Sequence, residues 1–214
     1  MDIYDRQKTI KLHTPKSVIV IGVGGVGSWV GLNFALSGVP KLTLIDPDIV
    51  EDTNLNRTPF RIKDIGERKV HALGSIIYER REDIALNVLD KRVENCVIRN
   101  LPEVVVDCRD NSTPLSEELR EKVKIIGGYD GKCITIHVNP TPDTIWGDDE
   151  VTYTHTPSWL IPPQLIANII VGFICDGYKA KDEQIVHLNL KGFIDKILGG
   201  ELLVDNLYYN AQKV

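Results

Sequence analysis

Apolar positions in the first half of the chain alternate between two periods. Residues 17–22 (SVIVIG) form an unbroken β-branched run ending on glycine, the pattern of a strand buried on both faces. A cluster of glycines follows, and residues 26–36 then read as a helix. Gly38 stands where a left-handed helix stop belongs, with Pro40 just beyond it. Residues 41–46 (KLTLID) predict a second buried strand. Strand, helix and strand make a βαβ unit, which implies parallel strands and a right-handed crossover. Val70, Leu73, Ile76 and Ile77 then predict a helix over 67–80, ahead of strands at 84–89 and 103–107. A short polar helix over 116–123 and a strand over 124–127 continue the rhythm.

After residue 127 the pattern changes. Residues 132–139 alternate with the period of two of an antiparallel strand. Residues 139–163 are rich in Pro, Asp and Thr and predict a long irregular crossover. Residues 164–175 (QLIANIIVGFIC) predict a nearly all-apolar helix, and 185–190 a last strand. The fold class is therefore α/β: a Rossmann-like nucleotide-binding half with a mainly parallel sheet, continuing into a mixed sheet with a buried helix and a crossover loop. No repeat or long linker divides the 214 residues. One domain is expected, with a nucleotide half over 1–111 and an acceptor-facing, dimerising half over 112–214.

Composition narrows the partners. With 43% hydrophobic and 26% charged residues the chain is of the globular kind, and disorder is excluded. Its net charge of −5 argues against a nucleic-acid partner. No apolar run approaches the roughly 20 residues that span a bilayer, so no membrane is expected. The charged N-terminus lacks the apolar core of a signal peptide, and a cytoplasmic location is expected. The 4 cysteines include no Cys-x-x-Cys pair, so no zinc is expected.

The candidate chemistry lies at the end of the first strand. Gly22, Gly24, Gly25 and Gly27 form a GxGGxG loop between strand and helix, where bare backbone can approach a phosphate at a helix N-terminus. Asp46 ends the second strand, placed to bond ribose hydroxyls. By themselves these features suit NAD and ATP equally.

Further motifs lie downstream. Asp46-Pro-Asp48 is followed by Asn54-Leu-Asn56-Arg57, then by Asp64-Ile-Gly66-Glu-Arg-Lys69 and Val106-Asp107-Cys108-Arg109-Asp110-Asn111; Tyr4-Asp-Arg6-Gln7 opens the chain. In order and spacing this set resembles the ThiF/MoeB/HesA and ubiquitin-activating-enzyme superfamily. The resemblance is specific over the first 111 residues and weaker beyond them. It implies ATP- and Mg²⁺-dependent adenylation of the C-terminal carboxylate of a ubiquitin-like protein, a sulfur-carrier protein or a peptide, with loss of pyrophosphate.

The residues suit that chemistry. Two anionic groups must be brought together, so cations are needed around the triphosphate. Arg57 and Lys69 supply them, Arg57 as a fork and Lys69 as a point charge. Asn54 can bond a phosphate oxygen without adding charge. The resemblance assigns Asp110 to Mg²⁺ and Asp46 to the ribose; Asp48 either aids the adenosine or shapes the loop. The resemblance also implies a homodimer, in which Arg6 would reach the partner's ATP site.

In two respects the chain departs from better-known relatives. It has no paired zinc cysteines, and residues 139–163 contain no cysteine for a thioester. Cys133 and Cys175 read as structural, so adenylation without an obligatory enzyme thioester is expected. Trp146, Tyr153, His155 and Trp159 are possible contacts for a substrate tail, and Gly199-Gly200 reads as a turn. Two other readings compete: a noncatalytic subunit of a heterodimeric activating enzyme, and an NAD-dependent oxidoreductase. The second leaves Asn54, Arg57, Lys69 and Asp110 without a common purpose.

Overall fold

A computed structural model describes residues 3–110, 115–141, 157–177, 182–192 and 194. Its elements run β1 (Val18–Ile21), α1 (Gly25–Leu36), β2 (Lys41–Ile45), α2 (Lys69–Tyr78), β3 (Ala85–Leu89), β4 (Val104–Asp107), α3 (Glu117–Arg120), β5 (Val123–Asp130), β6 (Cys133–Val138), α4 (Ile161–Cys175) and β7 (Gln184–Asn189). They build one seven-stranded sheet in the order β3-β2-β1-β4-β5-β6-β7. The strands from β3 to β5 pair in parallel, and β6 and β7 add antiparallel pairs. The expected mainly parallel sheet with a mixed continuation is thus present.

This order puts a topological switch point between β1 and β4. From β1 the chain moves outward through α1 to β2, then returns from the edge strand β3 to β4 on the other side of β1. Crevices that take ligands open at the carboxyl ends of strands flanking such a point. The unbroken β-branched run of β1 follows from its place. Val18 and Val20 join the larger core under α1, α2 and α4, while Ile19 and Ile21 join a smaller core with Ile45, Val105 and Leu119.

Several boundaries differ from the periodicity. The predicted helix over 67–80 starts only at Lys69, because residues 65–68 form a turn that ends in a bridge to Ile49. Gly66 has φ +88°, Val50 and residues 66–67 exchange backbone hydrogen bonds, and Arg68 bridges Ile49. The polar helix over 116–123 shrinks to α3, since Val123 already pairs with Val105 in the sheet. In contrast, α4 begins three residues early. Pro162 and Pro163 occupy its first turn, where no backbone N–H is required. Cys175 is buried as expected, but Cys133, read as structural, is exposed at the start of β6 with Asn189 Nδ2 donating to its sulfur. No helix among the described residues is long and apolar enough to cross a membrane. Trp146, Tyr153, His155, Asn111 and Gly199-Gly200 lie outside the described residues.

Candidate functional site

The glycine loop turns from β1 into α1 directly beside the end of β4. Gly22 takes φ +83°, and a Cβ built there would lie 3.0 Å from the Cys108 carbonyl. Nothing stands within 4 Å of a Cβ at Gly24, so space opens before the helix. No side chain caps α1, and no acidic residue sits in its first turn. Its leading N–H groups and positive dipole end therefore point into that space, a ready anion site.

Asp46 ties the second strand to this loop. Buried at 5% exposure, its carboxylate accepts from the backbone N–H of Val23 (2.6 Å) and of Asp48 (2.8 Å). Burial raises its carboxyl above the ordinary 3.8, against the opposing pull of Lys69 and the two N–H donors. An acid raised in the folded state keeps its proton at a pH where the unfolded chain has lost it. Folding then binds a proton, and stability falls as pH rises from about 3.8 through the raised value. Asp46→Asn removes this titration. Denaturant unfolding at about pH 4 and about pH 7 is expected to show wild type losing stability relative to the variant as pH rises. A relative gain with pH would contradict the assignment.

Of the two expected cations, Lys69 meets the site from the β2 side. Lys69 opens α2; its ammonium lies 2.9 Å from Asp48 Oδ2 and acts on Asp46 electrostatically. Asp48 thus pairs with Lys69 and joins the loop to α2. Arg57 is brought to α1 by Trp29, whose indole N–H donates to the Arg57 carbonyl (2.9 Å). Its guanidinium folds back onto the Thr53 carbonyl and Asn56. Asn54 is buried in the preceding turn, where its Oδ1 accepts from the Glu51 N–H (3.1 Å) and its carbonyl from the Thr58 hydroxyl.

On the β4 side the three strand-end charges divide their work. Arg109 pairs with Asp107 through two nitrogens (2.9 and 2.8 Å) and reaches Glu94. Asp110 is exposed and makes no hydrogen bond or ion pair with another described residue. A single open carboxylate suits Mg²⁺, which is commonly held by one or two carboxylates together with substrate phosphates and water. No group of three or more His, Cys, Asp or Glu among the described residues could hold a metal without such help.

Arg6 does not join this constellation. Tyr4 donates to the Ala35 carbonyl and Gln7 to the Ser37 carbonyl, so the opening segment docks on the C-terminal end of α1. The glycine loop is at the other end of a 12-residue helix, about 18 Å away, well beyond the reach of one side chain.

Sequence reasoning missed two contributors. Arg109 holds Asp107 while Asp110 stays open, and Tyr129 at the end of β5 stands against Gly25. The Cys108-Arg109-Asp110 order signalled the first; nothing local signalled the second.

Comparison with known proteins sharpens the picture. The ThiF family profile matches residues 3–119, just over half of the chain. A tRNA threonylcarbamoyladenosine dehydratase of Haemophilus influenzae is 30% identical over 141 residues, covering 57% of this chain and 54% of that protein. The sulfur carrier protein ThiS adenylyltransferase of Escherichia coli is 33% identical over 104 residues, covering 47% of this chain and 41% of that protein. The chain spans about half the length of the curated relatives it matches. Among solved structures, E. coli MccB with ATP shares the fold, with a TM-score of 0.61, 18% identity, and coverage of 83% of this chain and 64% of that one.

Proposed function

Because this chain belongs to the ThiF family, we propose that it is an ATP-dependent adenylyltransferase that activates a carboxylate as its acyl-adenylate. The observation that carries the reading is the convergence at one switch point of an uncapped α1 N-terminus, Lys69 beside Asp46, and the open carboxylate of Asp110. In this reading the phosphate chain lies against the α1 N–H groups, with Arg57 and Lys69 swinging from Thr53 and Asp48 to meet it. Asp46 fixes the loop and turns toward the ribose. Mg²⁺, held by Asp110 and phosphate oxygens, would neutralise charge on the phosphate chain. An acceptor carboxylate oxygen attacks the α-phosphorus, the bond to the β-phosphate bridge breaks, and pyrophosphate leaves.

The acceptor is a ubiquitin-like protein, a sulfur-carrier protein or a peptide, presented through its C-terminus. ThiS, named as the substrate of one relative, supports the sulfur-carrier class. The dehydratase relatives favour a second reading, in which the acceptor is carried on tRNA. Pyrophosphate exchange into ATP discriminates between them. Exchange is expected on adding a ubiquitin-fold protein with an intact C-terminus and not on adding its tail-truncated form. Exchange driven by modified tRNA alone would transfer the proposal to the second class, and exchange with neither would overturn it.

In this reading the working unit is a homodimer, since Arg6 lies too far from its own loop. Arg6 then serves the partner's site, as trans-acting arginines do elsewhere. Arg6→Ala and Asp110→Ala are each expected to lose exchange when pure. Mixed and reassembled, they are expected to regain it, because one site of each mixed dimer keeps its Asp110 and receives an intact Arg6. Failure of the mixture to recover would place Arg6 outside catalysis.

A further inference from the structure

The segment that enters α4 is tied to the nucleotide loop by bonds that the reading above leaves unused. Ser158 Oγ donates to the Tyr129 phenolic oxygen (3.0 Å), and Asn56 Nδ2 donates to the Ser158 carbonyl (3.3 Å). Trp159 Nε1 donates to the Gly131 carbonyl (3.2 Å), while the Gly131 N–H donates to the Pro157 carbonyl (2.8 Å). Together they hold Tyr129 and residues 157–159 beside the start of α1.

The tyrosine fills the space that Gly25 leaves by lacking a side chain. A Cβ built on Gly25 would lie 2.5 Å from the phenolic oxygen. The ring packs against the main core, which restricts its rotation, while its oxygen reaches the first residue of α1. A phenol can donate once and also accept. Its one bond among the described residues is to the Ser158 hydroxyl, which can donate as well as accept, so the phenolic proton is available to a bound anion when Ser158 donates. That leaves an O–H donor beside the uncapped N–H groups of the α1 N-terminus, where an anion would be bound.

We propose that Tyr129, oriented by Ser158, is a ligand-binding residue of this site whose hydroxyl donates to the phosphate chain of the bound nucleotide. The proposal rests on the adenylyltransferase reading and adds to it a donor from β5, on the side of the loop opposite Lys69. It also gives the Pro157–Trp159 segment a task, since Ser158 steadies the hydroxyl while the core alone keeps the ring in place. Gly25 is then required for space as well as for backbone approach.

Calorimetric titration with Mg²⁺ and the ATP analogue AMPCPP, whose α,β bridge cannot break, tests this on the full chain. Tyr129→Phe keeps the ring and removes only the donor, so a loss of about tenfold or more in affinity is expected, the worth of a hydrogen bond to a charged group. Ser158→Ala keeps the phenolic donor and is expected to cost less than about threefold. Unchanged affinity in Tyr129→Phe would overturn the proposal. Equal losses in both variants would also overturn it, since a purely structural latch predicts that result. Wild type that does not bind the analogue would instead overturn the nucleotide reading itself, an outcome separate from the other two. Melting temperatures of both variants, measured without nucleotide, check that the fold is kept.

Discussion

Replacing Asp110 by alanine is expected to lower pyrophosphate exchange by about 10²-fold or more while leaving the melting temperature near that of wild type. The two halves of this expectation have separate causes. Asp110 is exposed and bonds to no described residue, so its removal breaks no bond among the described residues, and a surface change of this kind costs within about 0.5 kcal/mol. The carboxylates beside it on β4 and β2 are already engaged: Asp107 is held by Arg109, and Asp46 by two backbone N–H groups. Losing one electrostatic stabiliser of a charge-rich transition state costs about 10²–10³ in rate. The variant should also lose the dependence of nucleotide affinity on Mg²⁺. Exchange that persists near the wild-type rate would remove Asp110 from the metal role.

Gly27→Ala is expected to act on the fold instead. A Cβ at Gly27 would lie 1.8 Å from the Gly22 carbonyl oxygen and 2.9 Å from its carbon. Both are backbone atoms of the turn that α1 springs from, so no side-chain rotation relieves the clash. α1 would have to back away from β1, carrying Val30 and Phe34 out of the core they help to form. The expected cost exceeds about 3 kcal/mol, a large part of the roughly 5–15 kcal/mol that holds a domain together. Thermal unfolding should show a fall of at least about 6 °C, or no folded protein at all. Gly24→Ala is the control, because a Cβ there meets nothing within 4 Å. It should fold normally. A Gly27→Ala protein as stable as the Gly24→Ala protein would contradict the packing.

Much of this could be read from the chain because local rules and tertiary demands agree in its first half. β1 is buried on both faces and looks so in sequence; Gly22 to Gly27 stand between strand and helix where the turn requires them. Asp46 was legible as a strand-end carboxylate, although not its grip on the loop, which depends on Val23 being folded back beside β2. Where the reading failed, a distant partner decided. Arg68 is extended because Ile49 pairs with it, and Val123 leaves its helix because β4 claims it. Arg57 and Lys69 were recognisable as cations, but their present partners were not, since Thr53 and Asp48 become partners only through the path of the loop. Tyr129 was invisible for the same reason. It meets Gly25 and Ser158 across 104 and 29 positions of chain, and no local pattern records such a meeting.

The central claim is that the loop at the switch point takes Mg-ATP and not a dinucleotide. Thermal unfolding of the wild-type chain with Mg-ATP, with NAD and with neither tests it most directly, because a ligand that binds only the native state raises the melting temperature by mass action. At about 100 times its dissociation constant, Mg-ATP is expected to raise the transition by about 5–10 °C, and NAD at the same concentration to leave it where it was. Stabilisation by NAD exceeding that by Mg-ATP, or by neither, would contradict the account.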